Sequence, residues 1–402
     1  MDPAKLKTWS LPKSVTSRFV DTAPAGLKFH ILESVPQDLP TGSQPPLILL
    51  LHGFPNLSYD WRYIMPLLSK AGYHAVAPDM RGFGRTHNSD LSPVARENIR
   101  PIVAVHDVTA LLIGLGYKFI HTLVGHDLGA FAASLIALAR TDLVKSLVLM
   151  SHPFKGIQAP ATKEEKQAEA SRQDSDIQAS LAKLDPPRKH YKYYNAADAA
   201  ADEWTNPKGQ PLHEFLRGYF HLKSADYVLN KPHPLKSWTA KELALMPHYY
   251  VMRADLSMRG NVELDMSKEP ASIREKLSQT PWLPDSDLSV YTEEFGRTTF
   301  SHSLLWYKAF VEPKLAADLL PFAGHKISVP TKYVSGDRDW GTYQVPGSLE
   351  AMENGDSVEP ECWRGAVHVP GAGHWVNMEK PNECAAEILK IAASVYDDSK
   401  WI

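Results

Sequence analysis

The chain of 402 residues contains only two cysteines, Cys362 and Cys384. Two thiols give neither the disulfide framework of a small secreted domain nor the ligand spacing of a structural zinc site, so no metal or other cofactor is expected. Charge of one sign is scarce as well. Lys and Arg number 43 against 46 Asp and Glu, leaving a net charge of −3, which excludes the electrostatic footprint of a nucleic-acid or anionic-lipid binder. The basic cluster Arg188-Lys189-His190-Tyr191-Lys192 is short and reads as solvated surface. No apolar run approaches the ~18 residues that span a bilayer. The opening MDPAKLKTWSLPKSV lacks the apolar stretch of a secretory signal, and the final Ser-Lys-Trp-Ile departs from the peroxisomal signal. Internal repeats and low-complexity tracts are missing too. With 44% hydrophobic and 22% charged residues, the expectation is a cytoplasmic globular protein, monomer or homodimer, acting on a small molecule.

What is present alternates. Two short runs around Arg18–Val20 and Leu27–Ile31 read as a hairpin. The run Pro46-Leu47-Ile48-Leu49-Leu50-Leu51 is continuously apolar, the pattern of a strand buried on both faces of a parallel sheet. A strand at His74–Pro78, a helix at Val103–Leu115, a strand at Ile120–Val124, a helix at Gly129–Arg140 and a strand at Val144–Met150 follow. This beat predicts an α/β fold with a mostly parallel, doubly wound sheet. It stops at Met150. Lys163–Leu184 is a polar helical pattern, the following residues are rich in Tyr, Trp, His and Pro, and the whole stretch is too long for a loop. Residues 151–319 are therefore expected to form an inserted, mainly helical cap, with residues 1–150 and 320–402 forming the core. Strands at Thr331–Ser335 and Gly365–Val369 and an amphipathic helix at Pro381–Val395 complete the core.

Chemistry concentrates where core strands end. Gly125-His126-Asp127-Leu128-Gly129 has the Gly-x-nucleophile-x-Gly spacing of a nucleophile elbow between strand and helix, with aspartate where serine is familiar. An aspartate there could simply cap the helix, but capping does not require the two glycines. His374, in Gly371-Ala372-Gly373-His374-Trp375 just past the last strand, is a candidate base. Asp339, in Gly336-Asp337-Arg338-Asp339, is preferred over Asp337 as its orienting acid. Nucleophile, acid, histidine is the chain order of α/β-hydrolases. His52-Gly53-Phe54-Pro55 ends the first buried strand and offers the Phe54 N–H as half of an oxyanion hole, the other half being the N–H of Leu128.

With Pro78-Asp79-Met80-Arg81-Gly82-Phe83-Gly84-Arg85, these motifs resemble those of epoxide hydrolases of the α/β-hydrolase fold, of the soluble and fungal type, over nearly the whole chain. The resemblance implies a cis peptide at Phe54-Pro55 and two cap tyrosines that hold the epoxide oxygen. Tyr291, in Val290-Tyr291-Thr292-Glu293-Glu294-Phe295, and Tyr219, in Arg217-Gly218-Tyr219-Phe220-His221, are assigned to them. His52, Pro55, Phe300 and Trp375 are expected to line the substrate site.

A carboxylate is a poor acyl-transfer nucleophile, because the product is an anhydride. It is well suited to attack a saturated carbon, giving an alkyl ester that water then cleaves. That chemistry serves epoxide opening to a diol or halide displacement. A haloalkane or haloacid dehalogenase is the enzyme alternative. Many dehalogenases carry tryptophan directly after the nucleophile, where this chain has Leu128. A catalytically silent ligand-binding protein is the non-enzyme alternative, at odds with the filled catalytic positions.

Overall fold

The computed structural model describes residues 2–38, 42–159 and 176–395. The main sheet is built from β1 (Thr16–Thr22), β2 (Leu27–Ser34), β3 (Leu47–Leu51), β4 (His74–Pro78), β5 (His87–Asn88), β6 (Thr122–His126) and β7 (Leu147–Met150). A short ribbon, β8 (Arg188–His190) with β9 (Val251–Arg253), stands apart, and β10 (Thr331–Gly336) and β11 (Trp363–Val369) complete the sheet. Its order is β1-β2-β4-β3-β6-β7-β10-β11, with β5 beside β2. The hairpin β1–β2 is antiparallel, β2 is antiparallel to β4, and every pairing from β4 to β11 is parallel.

β3, β6 and β7 are buried at every residue, which is why they read as unbroken apolar runs rather than alternations. The helix Leu128–Ala139 buries ten of its twelve residues. Its alanines let it lie close against the sheet. The chain lays β4 on one side of β3 and β6 on the other, so the strand order reverses at β3. Open α/β sheets hold their ligands outside the carboxyl ends of the strands at such a reversal. Here those ends carry His52–Pro55 and Asp127.

Between β7 and β10 the chain is mainly helical, with the β8–β9 ribbon as an addition the sequence reading did not contain. Of the helical pattern expected at Lys163–Leu184, the helix Ile177–Ala182 is present, and residues 163–175 lie outside the described residues. The helix Gln210–Lys223 starts with Pro211 in its first turn, where the missing N–H costs nothing. It buries Leu212, Phe215, Leu216 and Tyr219 at spacings of three and four, and its last turn, Gly218 to Lys223, is buried all round.

The helix Asp285–Thr298 docks on the core through polar groups four and three residues apart. Asp287 accepts from Tyr59 Oη at 3.0 Å and Arg62 Nη2 at 2.5 Å. Tyr291 Oη donates to Asp60 Oδ1 at 2.5 Å. Glu294 accepts from Arg85 Nε at 2.7 Å and Trp9 Nε1 at 3.2 Å. Among the described residues no helix is long and apolar enough to cross a membrane.

Candidate active site

Asp127 stands between β6 and the helix Leu128–Ala139 with φ 51° and ψ −116°, a left-handed conformation that a side chain adopts only when its surroundings hold it there. The flanking glycines are a steric requirement. A Cβ on Gly125 would come within 2.2 Å of Gly129 O, and one on Gly129 within 2.4 Å of Leu51 O. The turn therefore closes only with glycine at both ends, and it lifts the carboxylate off the edge of the sheet.

Phe54 N–H donates to Asp127 Oδ1 at 3.1 Å, and the Phe54-Pro55 peptide is cis. Leu128 opens the helix, so its N–H is one of the first-turn donors without a helical acceptor. On the other side, His374 Nε2 lies 3.4 Å from Asp127 Oδ2, at ion-pair distance but without a hydrogen bond. The other ring nitrogen, Nδ1, meets Asp339 Oδ1 at 3.0 Å. Asp339 caps the short helix Trp340–Thr342, accepting from Gly341 N–H at 2.6 Å. Asp337 turns away and accepts from Gly371 N–H at 3.0 Å. The His374 loop is pinned from below, since Ser151 Oγ donates to His374 O at 2.9 Å and His126 Nε2 meets the same oxygen at 2.7 Å.

These groups set each other's charge. Burial pushes the Asp127 carboxyl up, but the facing His374, with Lys223 and His126, overcomes burial and holds it well below the usual carboxylate range. Asp339 is likewise lowered, burial being outweighed by His374. Burial and Lys223 push the His374 imidazole down, while Asp339 and Asp127 prevail and raise it above its ordinary value. The resting arrangement is a histidine ring between two carboxylates that both favour its protonated form.

The four residues expected to line the substrate site all make internal contacts. His52 is buried, with Nδ1 on Gly53 O at 2.8 Å and Nε2 accepting from Met80 N–H at 3.0 Å. That is a neutral imidazole tying two loops together, not a substrate contact. Trp375 donates Nε1 to Phe220 O at 2.8 Å. Phe300 stacks on Phe295 at 4.3 Å. Pro55 is buried beside the oxyanion-hole residue.

The tyrosine assignment needs a correction. Tyr291 is spent on Asp60, and the carboxylate that raises its phenol, after burial, is that of Asp60 rather than Asp127. It is a docking residue of the helix Asp285–Thr298. Tyr219 does feel the Asp127 charge, which with burial pushes it well up. Three tyrosines that sequence reasoning missed feel it as well: Tyr191 and Tyr307, both raised by burial and by charges that include Asp127, and Tyr250, raised by burial and Asp339 with a smaller share from Asp127. The rings of Tyr191 and Tyr307 meet edge to face at 5.7 Å, and the Tyr307 ring meets that of Phe54 at 5.3 Å. They come from the short helices Tyr191–Ala196 and Leu305–Val311. Tyr191 Oη donates to Gln344 Oε1 at 2.8 Å. Neither position has a sequence signal, since the chain has 16 tyrosines and nothing local says which helix face turns to the elbow.

The sequence pattern of the alpha/beta hydrolase fold family matches residues 46–381. Epoxide hydrolase B of Mycobacterium tuberculosis is 30% identical over 369 residues, 89% of this chain and 93% of that one. Epoxide hydrolase 3 of Siraitia grosvenorii is 28% identical over 367 residues, 90% and 94% of the two chains. Among solved structures, an epoxide hydrolase from an endophytic Streptomyces superposes with a TM-score of 0.73 at 24% identity, covering 96% of this chain and 97% of that one. A laboratory-evolved variant of potato epoxide hydrolase gives 0.69 at 25% identity, covering 95% and 100%.

Proposed function

The chain belongs to the α/β-hydrolase fold family and, within it, to the epoxide hydrolases, and from that premise we propose how it opens an epoxide to a vicinal diol. The observation that carries the reading is a carboxylate on the elbow, held ionised, with one oxygen on the Phe54 N–H and the other facing a histidine oriented by Asp339. Asp127 attacks the less hindered epoxide carbon. The carbon–oxygen bond breaks, and the epoxide oxygen takes a proton from a tyrosine hydroxyl as it leaves. Tyr191 and Tyr307 are the proton donors, with Tyr219 a neighbouring wall of the pocket. Burial keeps both phenols protonated, so they are acids at neutral pH. The hydroxyl hydrogen of Tyr191 turns from Gln344 to the substrate. The imidazolium of His374 then returns a proton to the phenolate and becomes a base.

In the second half His374 Nε2 takes a proton from water, whose oxygen attacks Cγ of Asp127. The Phe54 and Leu128 N–H groups hold the oxyanion. Collapse expels the diol alkoxide, which is protonated by His374, and the new Asp127 carboxylic acid gives its proton to the imidazole. The sum is epoxide plus water to diol.

Residues 151–319 serve as the cap that closes this site. The substrate is a hydrophobic small molecule, and the enzyme is cytoplasmic, a monomer or homodimer. Two free cysteines support a reducing compartment. Two indoles near the site already donate elsewhere, Trp204 to Asn195 Oδ1 at 3.0 Å and Trp375 to Phe220 O. The test is a single turnover of an epoxide in water labelled with heavy oxygen. Label must appear in Asp127, with unlabelled oxygen transferred to the diol. Label in the diol alone would show direct attack by water.

A further inference from the structure

Lys223, the last residue of the helix Gln210–Lys223, is only 3% exposed, and the reaction above leaves it without a task. Among the described residues no carboxylate comes within ion-pair distance of its Nζ. The ammonium lies instead over four rings, 4.8 Å from Tyr250, 5.1 Å from Trp375, 5.3 Å from Tyr219 and 5.9 Å from Tyr249. A buried charge without a counterion is expensive, and aromatic faces offset only part of that cost. Its placement is tight. Lys223 O accepts from His374 N–H at 2.8 Å. A Cβ on Gly373 would fall 2.4 Å from Ser224 C, so the histidine loop lies directly on the helix end. Glu379 locks the joint, accepting from Ala225 N–H at 2.9 Å, Gly373 N–H at 3.0 Å and Trp375 N–H at 3.1 Å.

We propose that Lys223 is a positioning residue for the hydrolytic half-reaction: its caged ammonium, beside the triad, drives His374 into the neutral form that accepts a proton from water once Asp127 is esterified. This rests on the covalent reading of Asp127. His374 faces Asp127, Asp339, Lys223, His126 and His152. In the resting enzyme two carboxylates hold its proton against burial and Lys223. Esterification neutralises Asp127, and Asp339 with the four ring faces remains to hold the ammonium. The balance then turns toward imidazole, and the proton passes to the phenolate formed by ring opening, leaving phenol and imidazole. In the resting enzyme Asp127 and Asp339 hold the Lys223 charge against burial, which lowers it to about 8, and in the alkyl-enzyme Asp339 is the carboxylate that still supports it.

Rapid-quench single turnovers of styrene oxide test this with the full-length wild type, Lys223→Met and Lys223→Arg, from about pH 5 to about pH 10. Alkylation should be similar in all three. Hydrolysis of the alkyl-enzyme in Lys223→Met should have its acid limb moved up by about one pH unit, a roughly tenfold loss below it. The difference should close above about pH 9, where wild-type Lys223 has lost its own charge. Lys223→Arg should keep the wild-type limb. Methionine fills an aromatic cage well, and Lys223→Gln serves as a second neutral variant if folding suffers. An unmoved limb in the neutral variants, or a uniform loss at every pH that arginine does not rescue, overturns the proposal. A wild type that forms no alkyl-enzyme overturns the epoxide reading itself.

Discussion

The two walls of the active site are built on different principles. On the core side each group is fixed by backbone. Asp127 sits on a strained turn, Phe54 presents a main-chain N–H, and Asp339 and His374 follow the ends of β10 and β11. On the cap side the rings of Tyr191, Tyr219 and Tyr307 are held mainly by packing across three separate helices, with the Tyr191 hydroxyl on Gln344. A backbone-fixed group leaves its mark in the sequence, because the turn demands particular residues around it. A packing-fixed group does not. In the proposed reaction the core wall performs the bond changes and the cap wall supplies protons.

If that division holds, the largest effect comes from breaking the core wall. Asp127→Ala should lower turnover by about 10⁴-fold or more, with no adduct detectable by intact-protein mass spectrometry. His374→Gln should differ in kind: alkylation proceeds and the ester accumulates. The pH dependence should split likewise. Asp127 stays ionised far below the usual carboxylate range, so alkylation should show no acid limb near neutrality. Hydrolysis needs neutral His374 and should fall with pH. A common acid limb for both steps would refute the division of labour.

Next in size is the cap wall. Tyr307→Phe and Tyr191→Phe should each slow alkylation by about 10²-fold, leaving hydrolysis of the ester nearly unchanged. Tyr219→Phe should cost less. Tyr291→Phe is the discriminating control: the rate should stay within about twofold, while stability falls by about 1–3 kcal/mol because the buried Asp60 loses its donor. Urea unfolding beside stopped-flow kinetics reads both. A large rate loss in Tyr291→Phe alone would restore the assignment made from the sequence.

That assignment shows where the sequence stops being legible. The parallel character of β3, β6 and β7 follows from runs buried on both faces, and the elbow, the His374 loop and the Phe54 turn follow from glycines and proline with a steric reason to be there. The helix Asp285–Thr298 was not read from the sequence, beyond the motif around Tyr291. Its direction was hidden as well. Asp287, Tyr291 and Glu294 share one face, and that face turns to Arg62, Asp60 and Arg85 of the core. Charged neighbours at spacings of four and three mark a docking face, so Tyr291 could have been read as part of it. Nothing comparable marks Tyr191 or Tyr307, whose rings meet only because two helices far apart in the chain pack together. His52 was misread for a related reason: it stands beside the oxyanion hole in sequence, while its ring points back toward Met80 N–H.

The smallest effect concerns the seam between the walls. Asp60 is buried, and burial lifts its carboxyl to about 7 although Tyr291 and Arg62 pull the other way. A carboxyl raised on folding binds more protons folded than unfolded between its ordinary value and about 7. Stability from this group is therefore greatest at low pH and is lost as pH rises through that window. Asp60→Asn keeps an oxygen for the Tyr291 hydroxyl and removes the titration. The variant should gain thermal stability relative to wild type at about pH 8 and lose that advantage at about pH 5, with alkylation unaffected at both. Calorimetry at the two values checks the sign. A variant less stable at the higher pH would mean that the Asp60 charge, through Arg62, holds the cap in place, and that the seam is electrostatic rather than a hydrogen bond between near-neutral groups.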